Sequence, residues 1–240
     1  MERMYLSENN LMKNNAERKN MNKPIHAKAF IFDMDGTIVN NIPYHTKAWL
    51  QFLNKYNINI EEDELHPKIF GVSEEIMPRF FGKDLSVERN NSLSNEKEEL
   101  YRNLYKDKIE ELRGLKNLLQ IAKKKNIAVA LATMSDIQNI SFIVDKLGIR
   151  SSFDLIAGAE QITKGKPHPE IYKLVLSTLK INADDAIVFE DSHGGVLSAK
   201  AAGIRVIGIC TTHTKEQFKE WGVDVCINDF EEYVDNYMNE

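Results

Sequence analysis

The chain has 240 residues, of which 42% are hydrophobic and 28% are charged, ordinary proportions for a globular protein with a substantial core. Its formal net charge of −5 gives no reason to expect nucleic acid or an anionic membrane as a partner. No apolar run approaches the length that crosses a bilayer, so a membrane-spanning protein is not expected either.

The N-terminal stretch and the cysteines indicate where the protein resides. Residues 1–23 are polar, rich in Asn, Lys, Glu and Met, and lack the apolar stretch of a signal peptide. They are predicted to form a loose leader. Cys210 and Cys226 have no metal-binding spacing and are expected to be buried, reduced thiols. These features predict a cytoplasmic protein.

The first predicted strand, 27–32, leads directly into the sequence Asp33-Met34-Asp35-Gly36-Thr37. Residues i and i+2 of an extended chain lie on the same side, so the carboxyl groups of Asp33 and Asp35 can face one site. Like charges this close repel, which raises one pKa unless a cation intervenes. The pair suits a nucleophile or base with an acid, or a metal site. A polar turn is the competing interpretation.

Further strand signals alternate with segments of helical periodicity, and the strands are near-continuous apolar runs, which is typical of strands covered on both faces. The strands are predicted at 127–132, 154–157, 186–189, 205–209 and 223–227, and the helices at 115–125, 137–147, 169–179 and 196–202. This alternation predicts an α/β fold with an open, mostly parallel, Rossmann-like sheet.

The segment 42–107 breaks the alternation, because it has helical patterns without a convincing strand. These patterns lie at 44–55, 61–70, 74–80 and 95–109. We predict a helical cap at 42–107, inserted into a core formed by 24–41 and 108–240. Ligands of open α/β sheets bind beyond the carboxyl ends of the strands, so an insertion at this point is expected to cover the site and shield it from water.

Polar groups follow the strand predicted at 127–132, where the chain continues as Thr133-Met134-Ser135. A hydroxyl group and exposed backbone amides near a helix start can hold phosphate oxygens. Threonine and serine at such a position are also common helix caps, which is the competing interpretation.

A lysine and two acids complete the set of polar groups at strand ends. Lys166 precedes Pro167, which favours extended backbone there, although a lone lysine is most often a surface residue. Glu190 and Asp191 end the strand predicted at 186–189. A buried pair of acids is costly unless a cation or a lysine compensates it.

The order of these motifs along the chain resembles the haloacid dehalogenase superfamily of phosphotransferases, over residues 27–227. Within it, the chain resembles the branch with a helical cap after the first motif, which includes β-phosphoglucomutase and related phosphatases. The nearer likeness rests on three stretches: Tyr44-His45-Thr46-Lys47-Ala48-Trp49, Gly71-Val72-Ser73 and Lys166-Pro167-His168-Pro169-Glu170.

The resemblance implies that Asp33 is the nucleophile and Asp35 the general acid and base of a phosphoryl transfer through a phosphoaspartate. Two anions must approach each other, so Mg²⁺ is expected as cofactor. Its expected ligands are a carboxyl oxygen of Asp33, the backbone carbonyl of Asp35 and the carboxylate of Asp191. Glu190 is expected to contribute directly or through water.

Thr133 and Lys166 are expected to bind the equatorial phosphoryl oxygens, and Lys166 also to offset the acids. Asp35 must hold a proton during part of the cycle. The neighbouring Asp33 and enclosure by the cap are expected to raise the pKa of Asp35.

The resemblance also predicts residues that bind the substrate: Ser135, Met134, His45, Gly71, Val72, Ser73 and Lys97. His45 resembles a hinge histidine, with a structural histidine as the alternative. Lys97 resembles a cap lysine of the family, with a solvated helix lysine as the alternative.

The motifs are compatible with three functions: a phosphatase, a mutase and a phosphate-sensing protein. A mutase must also hold a second phosphate, and the position at which β-phosphoglucomutases carry an arginine is Glu74 here, which reverses the charge. We therefore predict a Mg²⁺-dependent phosphatase of a small phosphorylated metabolite, a sugar phosphate, acting as a monomer or weak dimer. The alternative is β-phosphoglucomutase activity. A non-catalytic, phosphate-sensing protein is the third hypothesis.

Overall fold

The computed structural model describes residues 27–238, so the predicted leader at 1–23 lies outside the described residues. The strands are β1 Ala29–Phe32, β2 Ala128–Ala132, β3 Leu155–Ala157, β4 Ala186–Glu190, β5 Arg205–Ile209 and β6 Val225–Ile227. They form one sheet in the order β3-β2-β1-β4-β5-β6, and every neighbouring pair is parallel. The predicted α/β fold with an open parallel sheet is confirmed.

The helices between and around the strands follow the predicted alternation. They are α1 Ile42–Lys55, α2 Glu62–Leu65, α3 Ser73–Ile76, α4 Pro78–Phe81, α5 Val87–Tyr105, α6 Leu115–Lys124, α7 Ile137–Leu147, α8 Glu170–Leu179, α9 His193–Ala201, α10 Lys215–Glu220 and α11 Phe230–Tyr237. No helix among residues 27–238 is both long enough and apolar enough to cross a membrane.

The central strand β1 is buried on both faces of the sheet, which explains its uninterrupted apolar sequence. Phe30 and Phe32 point into the core under α6, α7 and α11, and Phe32 stacks on Phe189 with ring centroids 4.8 Å apart. Ala29 and Ile31 point to the opposite face, which α8, α9 and α10 cover. The two flanking cores hold the strand ends rigidly in register.

Helices α1–α5, here called the cap helices, have an apolar cluster of their own. Its buried members are Trp49, Phe52, Leu53, Leu65, Ile76, Met77 and Leu93. The helix predicted at 95–109 begins earlier, at Val87, because Ser86 caps it by accepting a hydrogen bond from the Arg89 amide. Its polar first half carries little apolar periodicity. The division of the chain at 42–107 into core and cap stays a prediction.

Other differences from the sequence predictions lie at helix starts and in the last third of the chain. Helix α9 begins at His193, three residues before its predicted start, because the Ser192 hydroxyl accepts from the Gly195 amide. Helices α10 and α11 were not predicted, although Thr214 and Asp229 cap them. The two cysteines are free but only partly buried, so the prediction of full burial is wrong.

Candidate active site

A buried lysine joins the carboxyl ends of three neighbouring strands. Lys166 Nζ lies 2.6 Å from Asp33 Oδ1, just beyond β1, and 2.5 Å from Glu190 Oε1, at the end of β4. It also donates to the carbonyl oxygen of Ala132, the last residue of β2, at 3.2 Å. Lys166 is 7% exposed, so the interpretation as a surface lysine is wrong. Its positive charge offsets two buried acids at once.

Asp33, Glu190 and Asp191 form a buried acidic cluster, with one carboxylate oxygen from each residue within 4.8 Å of the others. Burial raises the pKa of Asp33 well above its usual range, although Lys166 opposes this. Burial and the charge of Glu190 raise the pKa of Asp191 to about 7. Oxygen donors whose charges repel one another are the setting that a hard divalent cation stabilises. The cluster can therefore hold a metal ion.

Asp191 is held by groups from two other loops. Thr37 Oγ1 donates to Asp191 Oδ1 at 3.4 Å, and Thr212 Oγ1 donates to Asp191 Oδ2. The Nδ1 atom of His213 lies 2.9 Å from the backbone oxygen of Asp191. Gly36 has φ +78°, and a Cβ atom there would overlap the Asp191 carboxylate, so the glycine is required at this close approach. Nothing in the local sequence identified Thr212 or His213.

Both carboxylate oxygens of Glu190 accept hydrogen bonds from nearby residues. Tyr172 of α8 donates its hydroxyl group to Glu190 Oε1 at 2.9 Å, and its ring lies 5.0 Å from Lys166 Nζ. The amide and hydroxyl groups of Ser192 donate to Glu190 Oε2 at 3.2 and 3.1 Å. Glu190 therefore fixes the position of Lys166. Tyr172 gave no sequence signal, because an aromatic residue on the buried face of a helix usually serves packing alone.

The carboxyl group of Asp35 turns away from the acidic cluster towards polar side chains. Asn41 Nδ2 and Ser135 Oγ donate to its two oxygens at 2.5 Å each, and His45 Nε2 lies 3.4 Å from Oδ1. Burial alone would raise the pKa of Asp35, but the hydrogen bond and charge of His45, with Ser135 and Asn41, lower it to about 2. The predicted rise is therefore wrong, since these contacts outweigh the effect of burial.

Asn41 connects the first motif to the cap helices. Its Oδ1 accepts from the Gly36 amide at 3.1 Å, and its Nδ2 donates to Tyr101 Oη at 2.6 Å as well as to Asp35. Although Asn41 precedes α1, its side chain makes no cap hydrogen bond and is free for these contacts. Its position in the sequence does not indicate this role, because Asn before a helix normally indicates a cap.

Thr133 and Met134 contact the loops on either side of them. Thr133 is buried, and its Oγ1 accepts from the Ser135 amide at 3.1 Å. Met134 Sδ accepts from the Lys166 amide at 3.3 Å. The cap of α7 is Asp136, which accepts from the Asn139 amide at 2.7 Å, so the interpretation of Thr133 as that cap is wrong.

His45 of α1 and Lys97 of α5 meet beside Asp35. Lys97 Nζ lies 3.0 Å from His45 Nδ1 and 2.8 Å from Glu98 Oε1, and the ring of His45 stacks on Tyr101 with centroids 3.6 Å apart. Lys97 is only 2% exposed. Its interpretation as a solvated helix lysine is therefore wrong, and its charge is already shared between Glu98 and His45.

Two further contacts join the cap helices to the core. Asn139 of α7 donates to Glu98 Oε2 at 2.7 Å and accepts from Arg102 Nη1 at 2.9 Å, which ties α5 to α7. The second contact is between backbones, because a Cβ atom at Gly165 would lie 2.9 Å from Gly71 Cα. The cap helices therefore lie directly on the carboxyl edge of the sheet.

A cavity of roughly 500 Å³ lies between the cap helices and this edge. Of the predicted substrate-binding residues, six line it: His45, Gly71, Ser73, Lys97, Met134 and Ser135. Val72 does not, because its side chain is buried, while its amide donates to Glu75 Oε2 at 3.1 Å. Asp35, two residues after Asp33 of the acidic cluster, lines the cavity as well.

The fold and the site together define an α/β protein with a Rossmann-like sheet, a buried acidic cluster at its carboxyl edge and helices above it. The chain belongs to the haloacid dehalogenase-like hydrolase family, whose sequence profile matches residues 30–209. The resemblance found in the sequence is thereby confirmed.

Within this family, the chain is similar to phosphatases and to β-phosphoglucomutase. The chain is 34% identical over 187 residues to the phosphorylated carbohydrates phosphatase of Thermotoga maritima, covering 76% of this chain and 85% of that protein. It is 30% identical over 191 residues to the β-phosphoglucomutase of Bacillus subtilis, covering 76% and 83%. The solved structure of a HAD hydrolase, family IA, variant 3, from Entamoeba histolytica superposes with a TM-score of 0.77 at 30% identity, covering 88% of this chain and 99% of that one. These relatives bear out the prediction of a phosphatase-class enzyme of this family.

Proposed function

We propose that the chain is a Mg²⁺-dependent phosphatase that hydrolyses a small sugar phosphate through a phosphoaspartate on Asp33. The observation that carries the proposal is the convergence of Lys166 with the acidic cluster, beside a cavity that reaches Asp35. Similarity to a phosphatase of phosphorylated carbohydrates supports the substrate class. We expect it to act in the cytoplasm, as a monomer or weak dimer.

Mg²⁺ is the proposed cofactor because every donor in the acidic cluster is a hard oxygen. Asp33 and Asp191 would hold it with their carboxylates, and Asp35 with its backbone carbonyl. Glu190 would contribute to the site by holding Lys166 in position. Its carboxylate oxygens already accept hydrogen bonds from Lys166, Tyr172 and Ser192. When bound, Mg²⁺ neutralises the charge that otherwise keeps a carboxylate and a phosphoryl group apart.

In the first step, a carboxylate oxygen of Asp33 forms a bond to phosphorus while the bond from phosphorus to the ester oxygen breaks. Asp35 gives its proton to the departing alkoxide. In the second step, water attacks the phosphoaspartate, its proton passes to Asp35, and inorganic phosphate leaves Asp33 as a free carboxylate. The reaction therefore consumes water and returns both aspartates to their starting states.

The contacts of Asp35 suit the second step, because a carboxyl group with a pKa of about 2 is ionised at neutral pH and can accept a proton. The first step needs the protonated form. Negative charge arriving with the phosphoryl group raises the pKa of Asp35, and the cavity shields the pair from water. His45 and Ser135 thus hold Asp35 in the base form until the substrate enters. Asp35 then takes up a proton from solvent before the first step, and it releases the proton gained in the second step to solvent as phosphate leaves.

The remaining groups bind phosphoryl oxygens. Lys166 Nζ lies 2.6 Å from Asp33, so it can reach an oxygen of a phosphoryl group bound there. Thr133, Ser135 and the backbone around Met134 offer neutral donors on the β2 side. These groups stabilise charge without changing their own protonation state.

Phosphoglucomutase activity is the second candidate, and similarity to the β-phosphoglucomutase of Bacillus subtilis favours it. A mutase must hold the phosphate at the far end of a sugar bisphosphate. Glu74 lines the cavity in this chain, and its negative charge opposes such a phosphate. We therefore place hydrolysis first.

The test is phosphate release from sugar phosphates, nucleotides and phosphoglycolate in the presence of Mg²⁺, with Asp33→Asn as the inactive control. We expect release from one or more sugar phosphates. A second assay supplies β-glucose 1-phosphate with a trace of the 1,6-bisphosphate. Formation of glucose 6-phosphate without free phosphate would establish the mutase instead, and no turnover in either assay would indicate a phosphate-sensing protein.

A further inference from the structure

The cavity beside Asp35 is lined by acids from both the core and the cap helices. Asp136 and Glu160 stand on the core side, at the start of α7, where they accept hydrogen bonds from the Asn139 and Ile137 amides at 2.7 and 2.8 Å. Glu74 of α3 stands on the cap side and is exposed to solvent. The two walls therefore present negative charge to whatever part of a substrate fills the space away from Asp35.

The positive charge in the cavity is already compensated. Among the described residues that line it, Lys97 is the one lysine, and no arginine is present. Lys97 Nζ lies 2.8 Å from Glu98 Oε1 and 3.0 Å from His45 Nδ1. A lysine paired in this way offers little attraction to a further anion, because its field is largely cancelled by the neighbouring carboxylate.

Capping explains why carboxylates stand at the start of α7, but it does not remove their charge. Each amide contact uses one oxygen, and the helix dipole offsets roughly half a charge for the whole terminus. Burial raises the pKa of Asp136, and the charges of Glu98 and Glu160 add to this rise, while the hydrogen bond from the Asn139 amide and the charge of Arg102 oppose it. The negative charges around the cavity are therefore close enough to Asp136 to affect its pKa.

The other lining residues suit an uncharged carbon skeleton. Trp49, Ile69, Ile76 and Met77 form an apolar wall, while Ser73 supplies a hydroxyl group. An aromatic ring with neighbouring hydrogen-bonding groups accommodates the apolar face and the hydroxyl groups of a polyol. The cavity therefore combines room for such a skeleton with walls that repel anions.

We propose that Glu74, Asp136 and Glu160 restrict the enzyme to phosphomonoesters whose far end is neutral or cationic. Polyhydroxylated and amino-substituted sugar monophosphates fit this rule, whereas bisphosphates and the phosphates of sugar acids are excluded. The inference rests on the proposed phosphatase function, because it concerns the part of the substrate that does not react.

The test compares 6-phosphate esters in two pairs that each differ in one charged group: the acyclic pair glucitol 6-phosphate and 6-phosphogluconate, and the cyclic pair glucose 6-phosphate and glucosamine 6-phosphate. Matched three-carbon esters, glycerol 3-phosphate and 3-phosphoglycerate, extend the comparison to a shorter skeleton. We expect kcat/KM for the carboxylated esters to be at least about tenfold below that of their neutral partners, the equivalent of about 1.4 kcal/mol of repulsion. The amine is expected to react at least as well as glucose 6-phosphate.

Three isosteric variants identify the residues responsible: Glu74→Gln, Asp136→Asn and Glu160→Gln. Asparagine retains the ability to cap α7, and glutamine retains an acceptor oxygen. The measured quantity is the ratio of kcat/KM for the carboxylated and neutral esters, so any general loss of activity cancels. We expect this ratio to rise in each variant and to rise about tenfold in the triple variant. Glu220→Gln, an exposed acid that does not line the cavity, is the control and should leave the ratio unchanged.

The outcomes separate this inference from the proposed function. Equal rates for carboxylated and neutral esters in the unmodified protein, or a ratio that does not move in the triple variant, would overturn the charge rule while leaving a working phosphatase. Absence of phosphate release from every ester would contradict the phosphatase function, and the charge rule with it.

Discussion

The carboxyl edge of the sheet and the cap helices above it form the two sides of the site, and they are built differently. On the core side, Asp33, Lys166 and Glu190 are buried, and the lysine lies within 2.6 Å of both carboxylates. On the cap side, His45 and Lys97 come from two helices, and a chain of hydrogen bonds through Glu98 connects them to the core. The groups of the core side are positioned by strands of one sheet, whereas the positions of the cap-side groups depend on how helices dock.

This difference separates two tasks. The core side gathers the charges needed for phosphoryl transfer, and its geometry does not depend on the rest of the substrate. The cap side sets the protonation of Asp35 through His45 and lines the space that the rest of the substrate fills. Asp35 belongs to both sides, since its backbone follows β1 while its carboxyl group faces the cavity.

The largest expected effect comes from the nucleophile on the core side. Asp33→Asn should lower kcat by at least about 10⁴-fold, because an amide cannot form the phosphoaspartate. Asp35→Asn should also slow turnover severely but leave Mg²⁺ affinity largely intact, since the backbone carbonyl remains. Phosphate release gives the rates, and calorimetric titration gives the Mg²⁺ affinity. An equal loss of Mg²⁺ affinity in both variants would contradict this division of roles.

The next effect tests how far Lys166 stabilises the buried carboxylates of the core side. Lys166→Met removes the cation that compensates two buried carboxylates, so the free energy of unfolding should fall by about 3–5 kcal/mol. Urea denaturation measures this loss, and Lys173→Met, at an exposed position on α8, is the matched control. A loss as small as that of the control would mean that the acids are not held by Lys166.

The acidic cluster should also give the metal-free protein a distinctive pH dependence. The pKa of Asp191 rises from 3.8 to about 7 on folding, so the folded protein binds this proton more tightly than the unfolded chain. The free energy of unfolding should therefore fall as the pH increases across that interval, by up to about 4 kcal/mol from this residue. Urea denaturation with a chelator near pH 5 and near pH 7 measures the fall, which Mg²⁺ and Asp191→Asn should each reduce. An unchanged fall in Asp191→Asn would exclude Asp191 as its source.

The smallest effect tests the cap side. His45→Gln removes a contact that lowers the pKa of Asp35, so that pKa should move up towards its usual value. The acidic limb of the pH profile of kcat, measured where hydrolysis of the phosphoaspartate limits turnover and Asp35 acts as the base, should then move to higher pH, with a loss of about tenfold below it. Thermal unfolding checks that the fold is retained. An acidic limb that stays in place while activity falls would assign His45 to substrate binding alone.

The core side was predictable from the sequence because each of its groups directly follows a strand signal. Asp33, Thr133, Glu190 and Asp191 come one or two residues after apolar runs, and parallel strands bring their ends together. Lys166 was predictable only through its place in the family motif, since a loop lysine has no periodic signal of its own. The strands themselves were found within two residues of their bounds, because burial on both faces leaves a continuous apolar run.

The remaining residues depend on tertiary docking. Asn41, Tyr172 and Thr212 contact the motif residues from elements whose packing angle no local pattern determines. The pKa of Asp35 was predicted with the wrong sign for the same reason, since the contacts that lower it come from the docked positions of His45, Ser135 and Asn41. Helices α10 and α11 were missed although both are capped, because six and eight residues span only about two helical turns.

The contact between Gly165 and Gly71 limits which positions can be substituted when the substrate specificity of such an enzyme changes. The two segments meet without side chains between them, so main-chain atoms limit how closely the segment at Gly71 can approach the loop at Gly165. A methyl group at Gly165 would lie 2.9 Å from Gly71 Cα and would force one of the two segments to shift. New specificities can therefore arise by substitution of the side chains that line the cavity, while the two glycines are retained.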